Sequence, residues 1–114
     1  KIINQDKETH LIIKFYEDLK VSDLRYLVDH AKKSFKNEGI IVLGAKNNIK
    51  ISYLVGVSDK LSNNLGANEI AKFASSVSNG KGGGGRKDFA QSGGELIDEN
   101  EQIDQIKSFI ISNL

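Results

Sequence analysis

The sequence predicts a mixed α/β domain: a sheet of about four strands with helices packed mainly on one face, in the order β-α-β-β-α-(β)-α. Three observations predict it. Residues 49–57 alternate in the period-two manner of a half-buried strand. Two stretches, 22–35 and 67–77, carry apolar residues at helical spacing. Between them the run Ile40-Ile41-Val42-Leu43 is apolar throughout, as a central strand would be.

The elements follow in order. Residues 11–16 are β-branched and aromatic, and Leu11, Ile13 and Phe15 share one face of a strand. Ser22 is the expected N-cap of the first helix, with Asp23 in its first turn, where negative charge suits the helix dipole. Leu24, Leu27, Val28, Ala31 and Phe35 form its apolar stripe, and Arg25, Asp29, Lys32, Lys33 and Lys36 take the other side. Gly39 stands where a left-handed cap is wanted, which would let Ile40 pack back on Phe35. Lys46-Asn47-Asn48 is turn chemistry, because Asn tolerates positive φ, and it leads into a hairpin partner over residues 49–57.

Residues 58–65 read as a polar loop. The second helix buries Ala67, Ile70, Ala71, Ala74 and Val77, small enough for close approach to the sheet, and Asn79-Gly80 ends it. Residues 88–91 form a short strand. Asp98, with Glu101 three residues on, resembles a capping box before a last helix that buries Ile103, Ile106, Ile110 and Leu114.

A chain of 114 residues suits one domain, 1–114, and buries roughly two thirds of its unfolded surface. It starts at Lys1 and contains no methionine, so it is expected to be a fragment of a longer protein. Absence of cysteine excludes disulfides and thiolate metal sites and fits a reducing, cytoplasmic setting. No apolar run is long enough to cross a membrane, and no N-terminal segment has the form of a signal peptide. The net charge of +1 gives no global attraction to nucleic acid, so any basic site must be local.

The local site is the segment Gly80-Lys81-Gly82-Gly83-Gly84-Gly85-Arg86-Lys87. Glycine-rich sequence can be a flexible spacer. Here the segment is short, and a spacer would part the last helix from the fold that must bury its isoleucines. The alternative is a shaped loop whose successive amides form an anion-binding nest, with Arg86 and Lys87 beside it. The formal match of residues 80–85 to G-x-G-x-x-G lacks the strand before and helix after that dinucleotide binding requires. A phosphate-binding loop ending in G-K-[ST] is not supplied by Gly85-Arg86-Lys87.

Residues 82–94, GGGGRKDFAQSGG, resemble the signature G-G-G-R-x-D-x-A-Q-x-G-G of the C-terminal domain of alanyl-tRNA synthetases, a branch of the DHH-associated family. The resemblance extends over nearly the whole chain. It implies a non-catalytic tRNA-binding module that grips the outer corner of tRNA and lets aminoacylation and editing domains share one substrate. It assigns nucleic-acid contacts to Gly82, Gly83, Gly84, Gly85, Arg86, Asp88, Gln91, Gly93 and Gly94, and Lys81 and Lys87 add charge beside them. Lys87 stands where that pattern often has proline. Phosphoesterase relatives carry His after the glycines and a small-residue A-A-G, against Arg86 and Ala90-Gln91 here. The implied parent is an alanine–tRNA ligase. Its ATP, magnesium and zinc are expected outside this fragment, which should hold no cofactor. Expected partners are tRNA, the parent's other domains and a homodimer.

Other candidates are weaker. His10 and His30 are the only histidines, and without cysteine they make no His/Cys zinc site. Asp88 is more easily a structural partner of Arg86 or of loop amides than a catalytic acid. Residues 98–101 suit a solvated helix start better than a cation site, and Lys32, Lys33 and Lys36 a solvated helix face. Phe89 and Ala90 alternate, so one faces the core; Gln91 can reach a base edge or sugar hydroxyl. Two rival functions remain at this point. One is an oligomerisation or docking module using residues 61–65 or the last helix. The other is the substrate-binding half of a phosphoesterase.

Overall fold

A computed structural model describes residues 2–4, 7–35 and 38–114. Six strands form one sheet: β1 (Ile2–Asn4), β2 (Lys7–Glu17), β3 (Glu38–Lys46), β4 (Lys50–Val57), β5 (Gly83–Gly85) and β6 (Phe89–Glu95), ordered β1-β2-β3-β4-β6-β5. The helices are α1 (Val21–Ser34), α2 (Ala67–Ser76) and α3 (Glu99–Ser112). Strands β2 and β3 pair in parallel, and every other neighbouring pair is antiparallel. A parallel pair needs a crossover, and α1 supplies it.

The alternation of β3 and β4 divides the core into two layers. Ile40, Val42, Ile51, Tyr53, Val55 and Val57 face α2 and α3, meeting Ile70, Ala71, Ala74, Ile106 and Ile110. Ile41, Leu43 and Leu54 face the other way, against Leu24 and Val28 of α1. The run 40–43 is apolar throughout because both faces of the sheet are covered. The mixed α/β class is as expected, with two of the three helices on one face; α1 takes the other. The sheet exceeds four strands by the two short edge strands, β1 and β5. Strand β5 is all glycine, which has little strand propensity, so it is held by its pairing with β6.

Several local expectations change. The N-cap of α1 is Lys20, without a side-chain cap hydrogen bond, and Ser22 lies inside the helix. Asp18, at φ 58°, turns the chain there instead. Gly39 is a residue of β3 and not a helix cap. A Cβ on it would lie 2.5 Å from Cδ2 of Phe35, so glycine is needed to let that ring lie on the strand. Ile40 therefore does not pack back on Phe35: the two belong to opposite core layers.

At the β3–β4 turn, Asn47 acts through its side chain rather than through positive φ. Its Oδ1 accepts the amides of Ile49 at 2.8 Å and Lys50 at 2.7 Å. Residues 58–65 include a short 3-10 helix, Leu61–Asn63. Leu61 and Leu65 are buried, so this stretch offers no exposed docking patch. Asp98 caps α3, its Oδ1 accepting the Glu101 amide at 3.2 Å. The return arm of a capping box is absent; Gln102 Oε1 instead accepts the amide of Ile97 at 3.2 Å.

Gln102 belongs to a buried polar cluster centred on Ser78. The Ser78 hydroxyl donates to the Ala74 carbonyl at 2.8 Å. With its one proton committed, its oxygen must accept from Tyr53, whose hydroxyl lies 2.7 Å away. It also accepts from Gln102 Nε2 at 2.8 Å. Burial pushes the Tyr53 phenol up, against the Ser78 hydrogen bond, which keeps it protonated and a donor. The Ser78 carbonyl accepts the Glu95 amide at 2.6 Å. One serine thus joins α2, β4, β6 and α3.

Replacing it should expose that dependence. Ser78→Ala leaves two buried donors without an acceptor and should cost about 2–4 kcal/mol in urea unfolding. Adding Tyr53→Phe should recover part of the loss, because one orphaned donor disappears. Equal stability of Ser78→Ala and the parent chain would refute the assignment.

Candidate functional site

Asn79, three residues past the end of α2, takes the left-handed conformation, at φ 53°, and the chain then runs onto β6. Ser75, fully buried, clamps this passage. Its hydroxyl donates to the Gly93 carbonyl at 2.9 Å and accepts the Gly82 amide at 2.9 Å, while its carbonyl takes the Gly80 amide at 2.8 Å. The glycines that follow pair with β6, Gly83 opposite Ser92, Gly84 opposite Gln91 and Gly85 opposite Ala90. The segment is therefore shaped, and not a spacer. Its shape is an edge strand rather than a nest of inward amides, since the Gly82 amide is already engaged by Ser75.

Close packing sets the residue type at Gly83, where a Cβ would collide with the Gln91 carbonyl oxygen. Gly85 is held at φ 149°, and a Cβ there would lie 2.5 Å from Ala90 Cα. Gly84 has open space on its side-chain position.

Residues Arg86, Lys87 and Asp88 make the β5–β6 turn, closed by the Arg86 amide on the Phe89 carbonyl at 2.7 Å. Two further bonds fix the turn to the rest of the fold. The Lys87 carbonyl accepts the Ala67 amide at 2.7 Å, at the start of α2, and the Asp88 carbonyl accepts the Val57 amide at 2.9 Å.

An open groove of about 510 Å³ lies beside this turn, lined by Arg25, Gly84, Gly85, Arg86, Phe89 and Gln91, with Ala90 at its base. Of the residues singled out in the sequence, Gly84, Gly85, Arg86 and Gln91 meet there. Lys81 and Lys87 are exposed but outside its lining. Gly82 and Gly83 sit on the α2 side of the edge, and Gly93 and Gly94 are occupied in packing beneath Ser75 and Ser78. Arg25 is the residue that the sequence places only on the polar side of the first helix. Its guanidinium lies over the Phe89 ring, 4.9 Å from the centroid. Nothing local marks it; only the α1 crossover brings position 25 to β6. Phe89 is partly buried against the α1 layer, and Ala90 is the member of the pair that faces the α2–α3 core.

Asp88 is bracketed by cations. Arg86 Nε donates to its Oδ1 at 3.1 Å, and Lys32 Nζ lies 3.6 Å from its Oδ2 and donates to its carbonyl at 3.1 Å. Partial burial pushes its carboxyl up, but the Arg86 hydrogen bond and the Lys32 charge outweigh that and hold it below the usual carboxylate range. Lys32 is thus committed to this pair, Lys33 is exposed, and Lys36 falls outside the described residues.

The remaining candidates are structural. His10 stacks on Phe35 and His30 on Tyr26, each with ring centroids 6.1 Å apart. Among the described residues no group of three His, Asp or Glu side chains is placed to hold a metal ion. Within residues 98–101, Asp98 caps α3 and Glu99 pairs with Lys46. The Glu99 hydrogen bond, helped by Glu17 at 3.8 Å and opposed by desolvation, raises the Lys46 pKa. No helix is long and apolar enough to cross a membrane among the described residues.

The DHHA1 domain family matches residues 8–114. The alanine–tRNA ligase of Oceanobacillus iheyensis is 33% identical over 118 aligned residues, which cover 99% of this chain and 13% of that protein. That of Fusobacterium nucleatum is 35% identical over 97 residues, 85% of this chain and 11% of that protein. The chain therefore spans about an eighth or less of the length of these curated relatives. Among solved structures, the C-Ala domain from Aquifex aeolicus alanyl-tRNA synthetase superposes with a TM-score of 0.79 at 29% identity, over 89% of this chain and 90% of that one.

Two outcomes follow from the site's construction. Gly83→Ala and Gly85→Ala should each lower stability by about 2 kcal/mol or more, whereas Gly84→Ala should change it by less than about 1 kcal/mol. Thermal unfolding of the three variants checks this, and equal tolerance at all three would restore the spacer reading. The second concerns pH. A depressed carboxyl stabilises the fold above its unfolded pKa, near 3.8, and loses that contribution as pH falls through its lower folded value. The stability gap between the parent chain and Asp88→Asn should therefore be widest near neutrality and close in acid.

Proposed function

The chain belongs to the DHHA1 domain family and is homologous to the C-terminal domain of alanyl-tRNA synthetase, and from that premise we propose that it is a non-catalytic module that holds tRNA for a parent alanine–tRNA ligase. The observation that carries the reading is the groove itself. Two arginines from distant parts of the chain, Arg25 and Arg86, flank a stretch of strand that has backbone but no side chain at Gly84 and Gly85. A nucleic-acid backbone can approach such an edge closely, and guanidinium groups match phosphate oxygens in bidentate fashion. Gln91 stands in the same groove with an amide suited to a base edge or a 2′-hydroxyl. Arg25 occupies the outer face of Phe89, so a base would meet the guanidinium plane rather than the bare ring.

The wider set of contacts is Lys81, Gly82, Gly83, Gly84, Gly85, Arg86, Lys87, Asp88, Gln91, Gly93 and Gly94. Within it, Gly82, Gly83, Gly93 and Gly94 act by shaping the edge and Lys81 and Lys87 by charge. The parent's other domains are its covalent neighbours, and ATP, magnesium and zinc belong to them. A homodimer would need a surface other than residues 61–65.

Titration of the chain with an alanine tRNA transcript and a non-cognate tRNA, at two salt concentrations, tests the reading. Binding should be weak and similar for both RNAs, with a salt slope near 3 or below, since only about three or four cations face the site. Arg86→Ala and Arg25→Ala should each weaken it about five- to tenfold. A folded chain that binds neither RNA, or binds both with Arg25 and Arg86 removed, would refute it.

A further inference from the structure

Arg86 is largely exposed, with 76% of its side-chain surface open to solvent, yet it is not free to wander. Its Nε is held by Asp88 Oδ1 at 3.1 Å. Asp88 is itself held from the other side by Lys32, which reaches from α1 to both its carboxylate and its carbonyl. Lys32 is well covered, at 19% exposure, so the chain of contacts begins at a fixed point. Among the described residues Nη1 and Nη2 of Arg86 make no hydrogen bond. The guanidinium is gripped at its inner nitrogen in a residue that lines the groove, which leaves its outer two nitrogens as the pair that would take two phosphate oxygens.

We propose that Asp88 is a positioning residue for anion capture: relayed from Lys32, it fixes the Arg86 guanidinium so that its outer nitrogens meet a phosphate of the bound RNA. The inference rests on the tRNA-binding reading and adds to it a residue whose charge has the wrong sign for the ligand. Two effects of Asp88 oppose each other. Its negative charge repels phosphate, so bare electrostatics says that removing it tightens binding. Its hydrogen bond removes rotamer freedom that Arg86 would otherwise lose on binding, so removing it weakens binding. The short span between residues 86 and 88, together with the second anchor at Lys32, makes the positioning effect the larger.

The sign of one substitution decides. Asp88→Ala should bind the alanine tRNA transcript about fivefold more weakly than the parent chain, despite the gain in net positive charge. Asp88→Asn keeps an acceptor for Nε without the charge and should bind as well as the parent or better. In an Arg86→Ala background, Asp88→Ala should bring no further loss, because Asp88 acts through Arg86. Tighter or unchanged binding by folded Asp88→Ala overturns the inference, as does a loss of equal size in the Arg86→Ala background. If Asp88→Ala does not fold, Asp88→Ser, whose hydroxyl is too short to hold Nε, takes its place: weaker binding than the parent chain supports the relay, and equal or tighter binding overturns it. Arg86→Ala on its own separates the two readings. If it leaves binding unchanged the tRNA site is misplaced; if it weakens binding while Asp88→Ala does not, only the positioning role fails.

Discussion

The site depends on how closely the end of α2 approaches strand β6. Ser75 and Ser78, one helical turn apart, set that distance from two ends. Ser75 holds the glycine passage against Gly93. Ser78 receives the Glu95 amide on its carbonyl and gathers Tyr53 and Gln102 on its hydroxyl. A buried hydroxyl that donates once and accepts twice has no spare capacity, and without it the Tyr53 hydroxyl would be an unsatisfied buried donor and Gln102 Nε2 would keep only the Glu95 carbonyl. The approach sets where β5 lies along β6, and the Arg86 turn that follows is tied back to α2 and β4 through the Lys87 and Asp88 carbonyls. Small residues on α2 are needed for the same reason: Ala67, Ala71 and Ala74 let the helix lie close enough for serine side chains, which are short, to span the gap.

The fold was readable where the physics is local and periodic. The stripe of α1 and the apolar run in β3 state their burial in the sequence, and the structure buries Leu24, Val28 and Ile41 accordingly; the alternation over residues 49–57 suggests a half-buried strand, whereas β4 buries Tyr53 on one face and Leu54 on the other and Ile49 is exposed. Capping was read less well. Ser22, Gly39 and Asn47 have residue types that suit several local roles. Strand entry was decided by packing, the Phe35 ring on Gly39, and the turn by the Asn47 side chain on the amides of Ile49 and Lys50. The second edge of the sheet was hidden because a run of glycines has no side-chain period from which to infer a strand.

The candidate site shows the same division. Gly84, Gly85, Arg86 and Gln91 lie within eight residues of one another, so a local motif could find them. Arg25 and Lys32 come from α1, about sixty residues away in sequence, and reach β6 and its turn only because β2 and β3 are parallel and their crossover covers this face. On a helix face both look like ordinary solvated cations. What distinguishes them is the partner each finds, Phe89 for one and Asp88 for the other, and neither pairing has a signature in the sequence.

Few cations are spent on this site, and one of them, Lys32, is already neutralised by Asp88. A strongly basic patch would bind any polyanion tightly and release it slowly, with affinity set mainly by salt. A groove with two oriented arginines and a side-chain-free edge gains less from charge and more from fit. On the proposed function the module is tethered to larger domains that also hold the RNA, and that balance is favourable. Once one part of a substrate is engaged, the second contact is intramolecular, at an effective concentration that reaches the millimolar range for short connections. A contact too weak to matter alone then suffices to keep the RNA in place, yet breaks fast enough to let the product go. On the proposed function, modest intrinsic affinity is therefore what the composition of this chain selects, and the near-neutral net charge of +1 is consistent with the role.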